Sequence, residues 1–276
     1  MTLSTRNVFF KAGIVFCSVS ALFMLAATYF VAPFYSTIEE NSRRPAAVFN
    51  VLAGHFLKPD FYAVHTSLIL VVLFSLVGII IIHFFFEQTA APEIPYIAIF
   101  IVSFSFEFIR LLLPLYLVYD FSSFYLLAAS RVLLFVRYIG IFSLFAASVR
   151  AAGLKVQKAR YVFFILFIAA LITTLGVPID TQLWDTSFSM LTGNTSIFRL
   201  LEVVAVLTTV AGFFVAIKVH GSKEYAFVGL GVFLALIGRY LILNTDNWAC
   251  PFPGILMLSF GLWFICSKLH KINLWL

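Results

Sequence analysis

The chain has 276 residues, of which 63% are hydrophobic and 11% charged, and its formal net charge is +6. A soluble domain has about 45–50% apolar and about 25% charged residues, so this composition excludes a water-soluble globular protein. The apolar runs are continuous and do not alternate as barrel strands do, and the sequence therefore predicts an all-α integral membrane protein.

Eight apolar runs approach or exceed the length of about 20 residues that a bilayer-spanning helix needs. They lie at 12–34, 62–86, 96–118, 124–148, 161–178, 198–217, 225–244 and 252–268. The first is expected to be a retained helix, because its apolar core exceeds the roughly 7–15 residues of a signal peptide. The prediction is a single transmembrane domain, a polytopic bundle of about eight helices.

The segment between the first two runs is itself partly apolar. Residues 43–60 read "RRPAAVFNVLAGHFLKPD", which suits a short interfacial helix between Pro45 and Pro59. Such a helix would act as a lid over the outer face. A plain connector with a half-buried turn explains the same residues.

The distribution of positive charge predicts the orientation, because Lys and Arg concentrate on the cytoplasmic side. With eight spans the termini share one side, which carries ten Lys and Arg residues, whereas the other side carries three, Arg43, Arg44 and Lys58. Both termini are therefore predicted to be cytoplasmic. The loop at 87–95 is an exception, being cytoplasmic by this count yet acidic.

Seven charged side chains within the spans are the strongest functional signal. They are Glu107, Arg110, Arg131, Arg137, Arg199, Glu202 and Arg239. A charge at mid-bilayer costs roughly 2.5–3.5 kcal/mol on insertion scales and normally faces the bundle interior or a water-filled cavity. In the predicted orientation these side chains lie in the outer half of the bilayer or near its middle, and His65 also lies in the outer half.

Spacing along the chain predicts two ion pairs. Glu107 and Arg110 stand at i and i+3, so they share a helix face, and Arg199 and Glu202 repeat this relation in reverse order. Three arginines are left without a partner: Arg131, Arg137 and Arg239. The embedded set has five positive and two negative charges, and this excess of three positive charges must be compensated by another group.

Pro114 follows the first pair in the stretch "SFSFEFIRLLLPLYL", residues 103–117. Proline cannot donate to the carbonyl of Arg110, so it frees an acceptor and favours a kink. A free carbonyl at this depth is tolerated where it is buried in protein or lines a cavity. The stretch is therefore predicted to form the wall of a polar pocket.

These charges allow two interpretations. They could lock helices together by salt bridges, or they could form an outward-facing pocket for a small anion or an acidic lipid headgroup. The second is favoured, because the set has an excess of positive charge on one side. Guanidinium groups also suit bidentate capture of carboxylate or phosphate. The predicted ligand-binding set is the seven charged residues with His65, for which a packed core histidine is the alternative.

Glycines in the last two spans predict a close helix pair. Gly229, Gly231 and Gly238 lie in the seventh run, with Gly254 and Gly261 in the eighth.

The spans lack the residues that several kinds of cofactor binding and catalysis would require. No span holds a Lys for a retinal Schiff base, and no cluster of His, Cys or acidic residues suggests zinc. His65 and His83 share one predicted helix, which excludes a pair facing each other across a haem. Each embedded Glu has an Arg beside it, which suits binding better than proton transfer. We therefore expect no catalytic residue, metal, cofactor or nucleic-acid partner.

Three classes of function remain. A sensory or receptor-like binding module is favoured, and the layout is similar to that of multi-spanning input modules of bacterial membrane receptors, without a shared motif. Membrane lipids, a small anionic ligand and a separate cytoplasmic or membrane signalling partner are the expected partners, and the plasma membrane of a bacterium, its inner membrane, is the expected location. The alternatives are a transporter or a transporter subunit, which would need interrupted helices, and a lipid-modifying enzyme.

Overall fold

The computed structural model describes residues 3–34, 60–89, 91–119, 122–153, 159–185, 187–244 and 247–274. The α-helices in chain order are α1 (Leu3–Val31), α2 (Phe61–Phe86), α3 (Ile94–Ser103), α4 (Leu112–Tyr119), α5 (Ser123–Ala151), α6 (Ala159–Gly176), α7 (Thr195–His220), α8 (Glu224–Leu243) and α9 (Pro251–Leu274). A 3₁₀ helix follows each of α1 (Ala32–Phe34) and α3 (Phe104–Leu111). One antiparallel strand pair, β1 (Ile179–Trp184) and β2 (Met190–Thr192), lies between α6 and α7.

Seven helical stretches in the described ranges are long and apolar enough to cross a membrane. They are Leu3–Phe34, Phe61–Phe86, Ile94–Tyr119, Ser123–Ala151, Thr195–His220, Glu224–Leu243 and Pro251–Asn273. They match seven of the eight predicted runs, and the predicted all-α membrane bundle is confirmed at this level. At the remaining run, 161–178, the structure has a shorter apolar helix, Tyr161–Gly176.

The helices at the two ends of the chain extend beyond their apolar runs. α1 begins at Leu3 and α9 ends at Leu274, whereas the hydrophobic pattern marks 12–34 and 252–268. Lys and Arg are good helix formers, so a helix continues past its apolar stretch into polar surroundings. The predicted interfacial helix at 43–60 falls outside the described residues, apart from Asp60.

The third apolar stretch is interrupted, as the charges and Pro114 predict, but the irregularity lies before the proline. The 3₁₀ helix Phe104–Leu111 is eight residues long and carries Glu107 and Arg110. Pro114 is the third residue of α4, a position whose amide would have no partner within that helix. The carbonyl of Arg110 accepts from the amide of Leu112, so the predicted free acceptor is satisfied locally.

The strand pair folds back onto one end of the bundle, and we call residues 179–192 the hairpin. Phe188, in the turn, is buried, and its ring lies 4.6 Å from that of Phe61, at the start of α2. At the same end, Trp248 donates a hydrogen bond from its indole nitrogen to Asp60. The segment lies between the apolar runs 161–178 and 198–217, where no regular element is predicted, so the hairpin is an addition to the predicted fold.

The predicted glycine contact between the last two helices is present. Gly231 faces Gly261, and a Cβ atom on Gly231 would lie 2.9 Å from the Gly261 carbonyl oxygen. About two turns further, a Cβ on Gly238 would lie 2.6 Å from the carbonyl oxygen of Gly254. The backbones of α8 and α9 therefore touch directly at two levels.

We expect Gly238→Ala to destabilise the protein by about 1–3 kcal/mol, because the new methyl group would press on backbone atoms that cannot turn aside. The measurement is thermal unfolding of the purified protein in detergent. Gly176→Ala is the control, because a Cβ at Gly176 meets no atom within 4 Å. Equal melting temperatures for the two variants would contradict the close contact.

Candidate functional site

A cavity of about 330 Å³ opens among the helices at the hairpin end of the bundle. Its walls are the 3₁₀ helix, α4, α5, the hairpin, α7 and α8. Four of the predicted site residues line it: Arg110, Arg137, Arg199 and Glu202. The structure therefore brings half of the eight predicted residues to one site.

Glu107 does not line this cavity, but its carboxylate interacts with two arginines that do. Its carboxylate accepts from Nε of Arg137 at 2.7 Å and from Nη2 of Arg137 at 2.6 Å, a bidentate ion pair between the 3₁₀ helix and α5. Arg110, the partner predicted from spacing, is the more distant one at 3.6 Å. The prediction that Arg137 has no partner is wrong, because spacing within one helix cannot reveal a pair between two helices.

Close packing of α3 against α5 brings this pair together. A Cβ atom on Gly140 would lie 2.5 Å from the hydroxyl oxygen of Ser103, so a side chain at this position would force Ser103 to shift. Glu107 follows Ser103 by about one turn, and Arg137 precedes Gly140 by about one turn. Because α3 and α5 run in opposite directions, these offsets place the carboxylate beside the guanidinium group.

Arg110 connects the interrupted helix to two other elements. It donates to the carbonyl of Ser187 in the hairpin and, at 3.2 Å, to the carbonyl of Leu243 at the end of α8. The carbonyls at a helix C-terminus carry partial negative charge and favour a cation. Arg110 is 3% exposed, so its guanidinium group depends on contacts within the protein and not on water.

Arg131, His65 and Arg239 do not line the cavity. Arg131 donates to the carbonyls of Thr174 and Val177, the latter at 2.6 Å, and so satisfies the end of α6. Its predicted lack of a partner is therefore wrong, since backbone carbonyls serve as partners.

His65 is buried and forms a hydrogen bond of 3.1 Å with the hydroxyl of Thr28, which joins α2 to α1. Arg239 lies close enough to Glu202, Arg137 and Glu107 for their charges to interact. Arg239 therefore contributes to the field behind the cavity without forming its wall.

Arg199 and Glu202, one turn apart on α7, do not form the predicted ion pair. Arg199 is exposed and Glu202 half-buried, and both line the cavity. Within the described part of the chain, neither side chain forms a hydrogen bond or an ion pair. The cavity therefore has one positive and one negative group whose hydrogen-bonding capacity is unused.

The described lining carries a small positive excess. Three arginines, Arg110, Arg137 and Arg199, stand against two acids, Asp185 and Glu202, which leaves one net positive charge. Asp185 comes from the hairpin, which sequence reasoning missed because its short strands carry no strong alternating pattern. Tyr138, beside Arg137, also lines the cavity.

No protein family, curated protein or solved structure matches this chain.

We expect Glu107→Gln to lower the free energy of unfolding by about 3–5 kcal/mol, because it leaves buried arginine charge uncompensated. Glu224→Gln is the matched control, since Glu224 pairs with Lys268 at 3.0 Å and Lys271 at 2.6 Å near the surface. An ion pair near the surface contributes about 1 kcal/mol or less. Similar losses in the two variants, measured by thermal unfolding, would show that Glu107 is not a structural centre.

Proposed function

We propose that this chain is a sensory or receptor-like membrane module that binds a small anion or an acidic headgroup in the cavity at the hairpin end. The observation that carries the proposal is the pair Arg137 and Arg199, which line a cavity of net positive charge. Guanidinium groups bind carboxylate and phosphate oxygens through paired hydrogen bonds, and an anion would neutralise this excess.

Two arginines have donors to offer. Arg137 uses Nε and Nη2 for Glu107, which leaves its Nη1 group, and its side chain is 16% exposed. Arg199 makes no contact with the described residues that would occupy its guanidinium group. Arg131 differs, because the carbonyls at the end of α6 take up its donors. Arg137 and Arg199 are therefore the proposed anion ligands.

The same cavity wall offers a route for a signal. Arg110 joins the 3₁₀ helix, the hairpin and the end of α8, and it also lines the cavity. Long 3₁₀ runs inside helices often mark hinges. An anion that binds more tightly to one arrangement of these contacts would shift the balance between arrangements, and a partner protein would detect that shift.

We expect inorganic phosphate to raise the melting temperature of the purified protein, and Arg199→Gln to abolish most of that rise. A ligand at about one hundred times its Kd stabilises a protein by about 2.7 kcal/mol. Arg199 is exposed, so its replacement should leave the unliganded melting temperature unchanged.

Lys218→Gln is the matched control, because Lys218 is exposed on the same helix, α7, at its other end, and the charge change is identical. It should retain the full response to phosphate. A wild-type protein that phosphate, acetate and sulfate all fail to stabilise would refute an anion site.

A transporter is the second candidate, and the interrupted third stretch supports it. Transporters place their sites beside discontinuous helices, and the 3₁₀ helix forms part of the cavity wall. Uptake of radiolabelled phosphate into proteoliposomes distinguishes the two candidates. A sensory module should give no uptake above protein-free vesicles, whereas a transporter should give uptake that Arg199→Gln abolishes.

We also propose that α6 completes an eight-span bundle with both termini in the cytoplasm of a bacterium. The support is the charge distribution, because the loops assigned to the hairpin side of the bundle carry three Lys and Arg residues and those of the other side carry ten. In this arrangement the cavity opens toward the outer face.

The orientation is tested by cysteine labelling in cells that express the protein. Leu191→Cys, in the hairpin, should react with a membrane-impermeant maleimide in intact cells. Ala152→Cys, before α6, should react only after permeabilisation. Both changes are made with Cys250→Ser, since Cys17 and Cys266 are buried. Labelling of both positions from the same side would mean that α6 does not cross the membrane.

A further inference from the structure

A simple anion bound in the cavity would leave the Glu202 carboxylate without a hydrogen-bond donor. Glu202 lines the cavity and is half-buried, and no described side chain forms a hydrogen bond or ion pair with it. An ionised carboxylate can only accept hydrogen bonds. Withdrawing it from water beneath a bound anion would cost free energy unless the ligand supplied a donor.

The position of Arg199 indicates where the ligand's hydrogen-bond donor would lie relative to its anionic group. Arg199 and Glu202 stand at i and i+3 on α7, so their Cβ atoms lie about 5–6 Å apart on one face of the helix. Both side chains reach the same cavity without pairing with each other. A ligand with separated positive and negative groups can therefore contact both at once.

The surrounding charges make Glu202 a better partner for a cation than for a neutral group. Asp185 lines the same cavity and adds a second negative charge. Arg239 interacts with Glu202 electrostatically, but it does not line the cavity. With one net positive charge in the lining, a ligand with two negative charges and one positive charge would leave the site neutral.

Building on the proposed anion site, we propose that its ligand carries an ammonium group beside its anionic group. The anionic group binds Arg199 and Nη1 of Arg137, and the ammonium group binds Glu202. A cavity of about 330 Å³ is within the range of about 300–1,000 Å³ typical of small-molecule sites. An aminoalkyl phosphate has this chemistry, whether it is a free metabolite or the exposed part of a lipid.

The test compares two probes of nearly equal size. 2-Aminoethyl phosphate ends in an ammonium group, and propyl phosphate has a methyl group in its place. Their Kd values are measured by titration calorimetry on the purified full chain. We expect the amino compound to bind wild type at least about tenfold more tightly, the effect of one hydrogen bond to a charged group. This comparison needs no variant and does not depend on how a variant folds.

Glu202→Gln should remove this preference while propyl phosphate still binds as well as before or more tightly, because the repulsion between Glu202 and phosphate is gone. Arg199→Gln should weaken both probes. Glu224→Gln, a carboxylate change at the far end of the bundle, should leave both Kd values unchanged.

Equal binding of the two probes by wild type, or an unchanged preference in Glu202→Gln, would overturn the ammonium inference and leave the anion site standing. Binding of neither probe would overturn the anion site and this inference together.

The source of the ligand is tested with lipid. Phosphatidylserine and phosphatidylglycerol both carry one net negative charge, but only phosphatidylserine has an ammonium group. Each lipid is added to the protein in phosphatidylcholine nanodiscs. If the ligand is a lipid, phosphatidylserine should stabilise wild type more than phosphatidylglycerol does, and Glu202→Gln should remove the difference. A free ligand predicts that the two lipids act alike while 2-aminoethyl phosphate still binds.

Discussion

A buried carboxylate holds the polar part of this membrane protein together. Glu107 is 1% exposed, receives two hydrogen bonds from Arg137 and lies 3.6 Å from Arg110. Each of these charges would be costly in an apolar interior without the others. The 3₁₀ helix must therefore stay against α5, and Arg110 extends this attachment to the hairpin and to the end of α8.

The positive charge of the cavity depends on which arginines have hydrogen-bond partners elsewhere in the protein. Arg131 and Arg110 use backbone carbonyls at helix ends and in the hairpin. Arg137 is only partly occupied by Glu107, and Arg199 has no such partner within the described residues. Helix ends thus neutralise some of the positive charge, and the part that is left faces a space at the hairpin end.

The sequence predicts the helices well and the partners poorly. The apolar runs locate the helices, because a stretch that must avoid water is visible in composition alone. The glycines of α8 and α9 likewise predict the contact that the structure shows. Spacing gave Arg110 as the main partner of Glu107, whereas packing between helices supplies Arg137. Gly140 and Ser103 are the small residues that could have indicated this contact. The hairpin, with its Asp185, lies beyond such reasoning, because its short strands depend on contacts with the bundle end.

The tight winding of the segment that carries Glu107 has a directional consequence. In an α-helix, side chains at i and i+3 point about 60° apart around the axis, whereas in a 3₁₀ helix they point the same way. Phe104, Glu107 and Arg110 therefore form a single column, and all three are buried. With this winding, one carboxylate can meet α5 while the guanidinium group above it reaches the hairpin. An ordinary α-helical turn would rotate the two groups about 60° apart and so break this column.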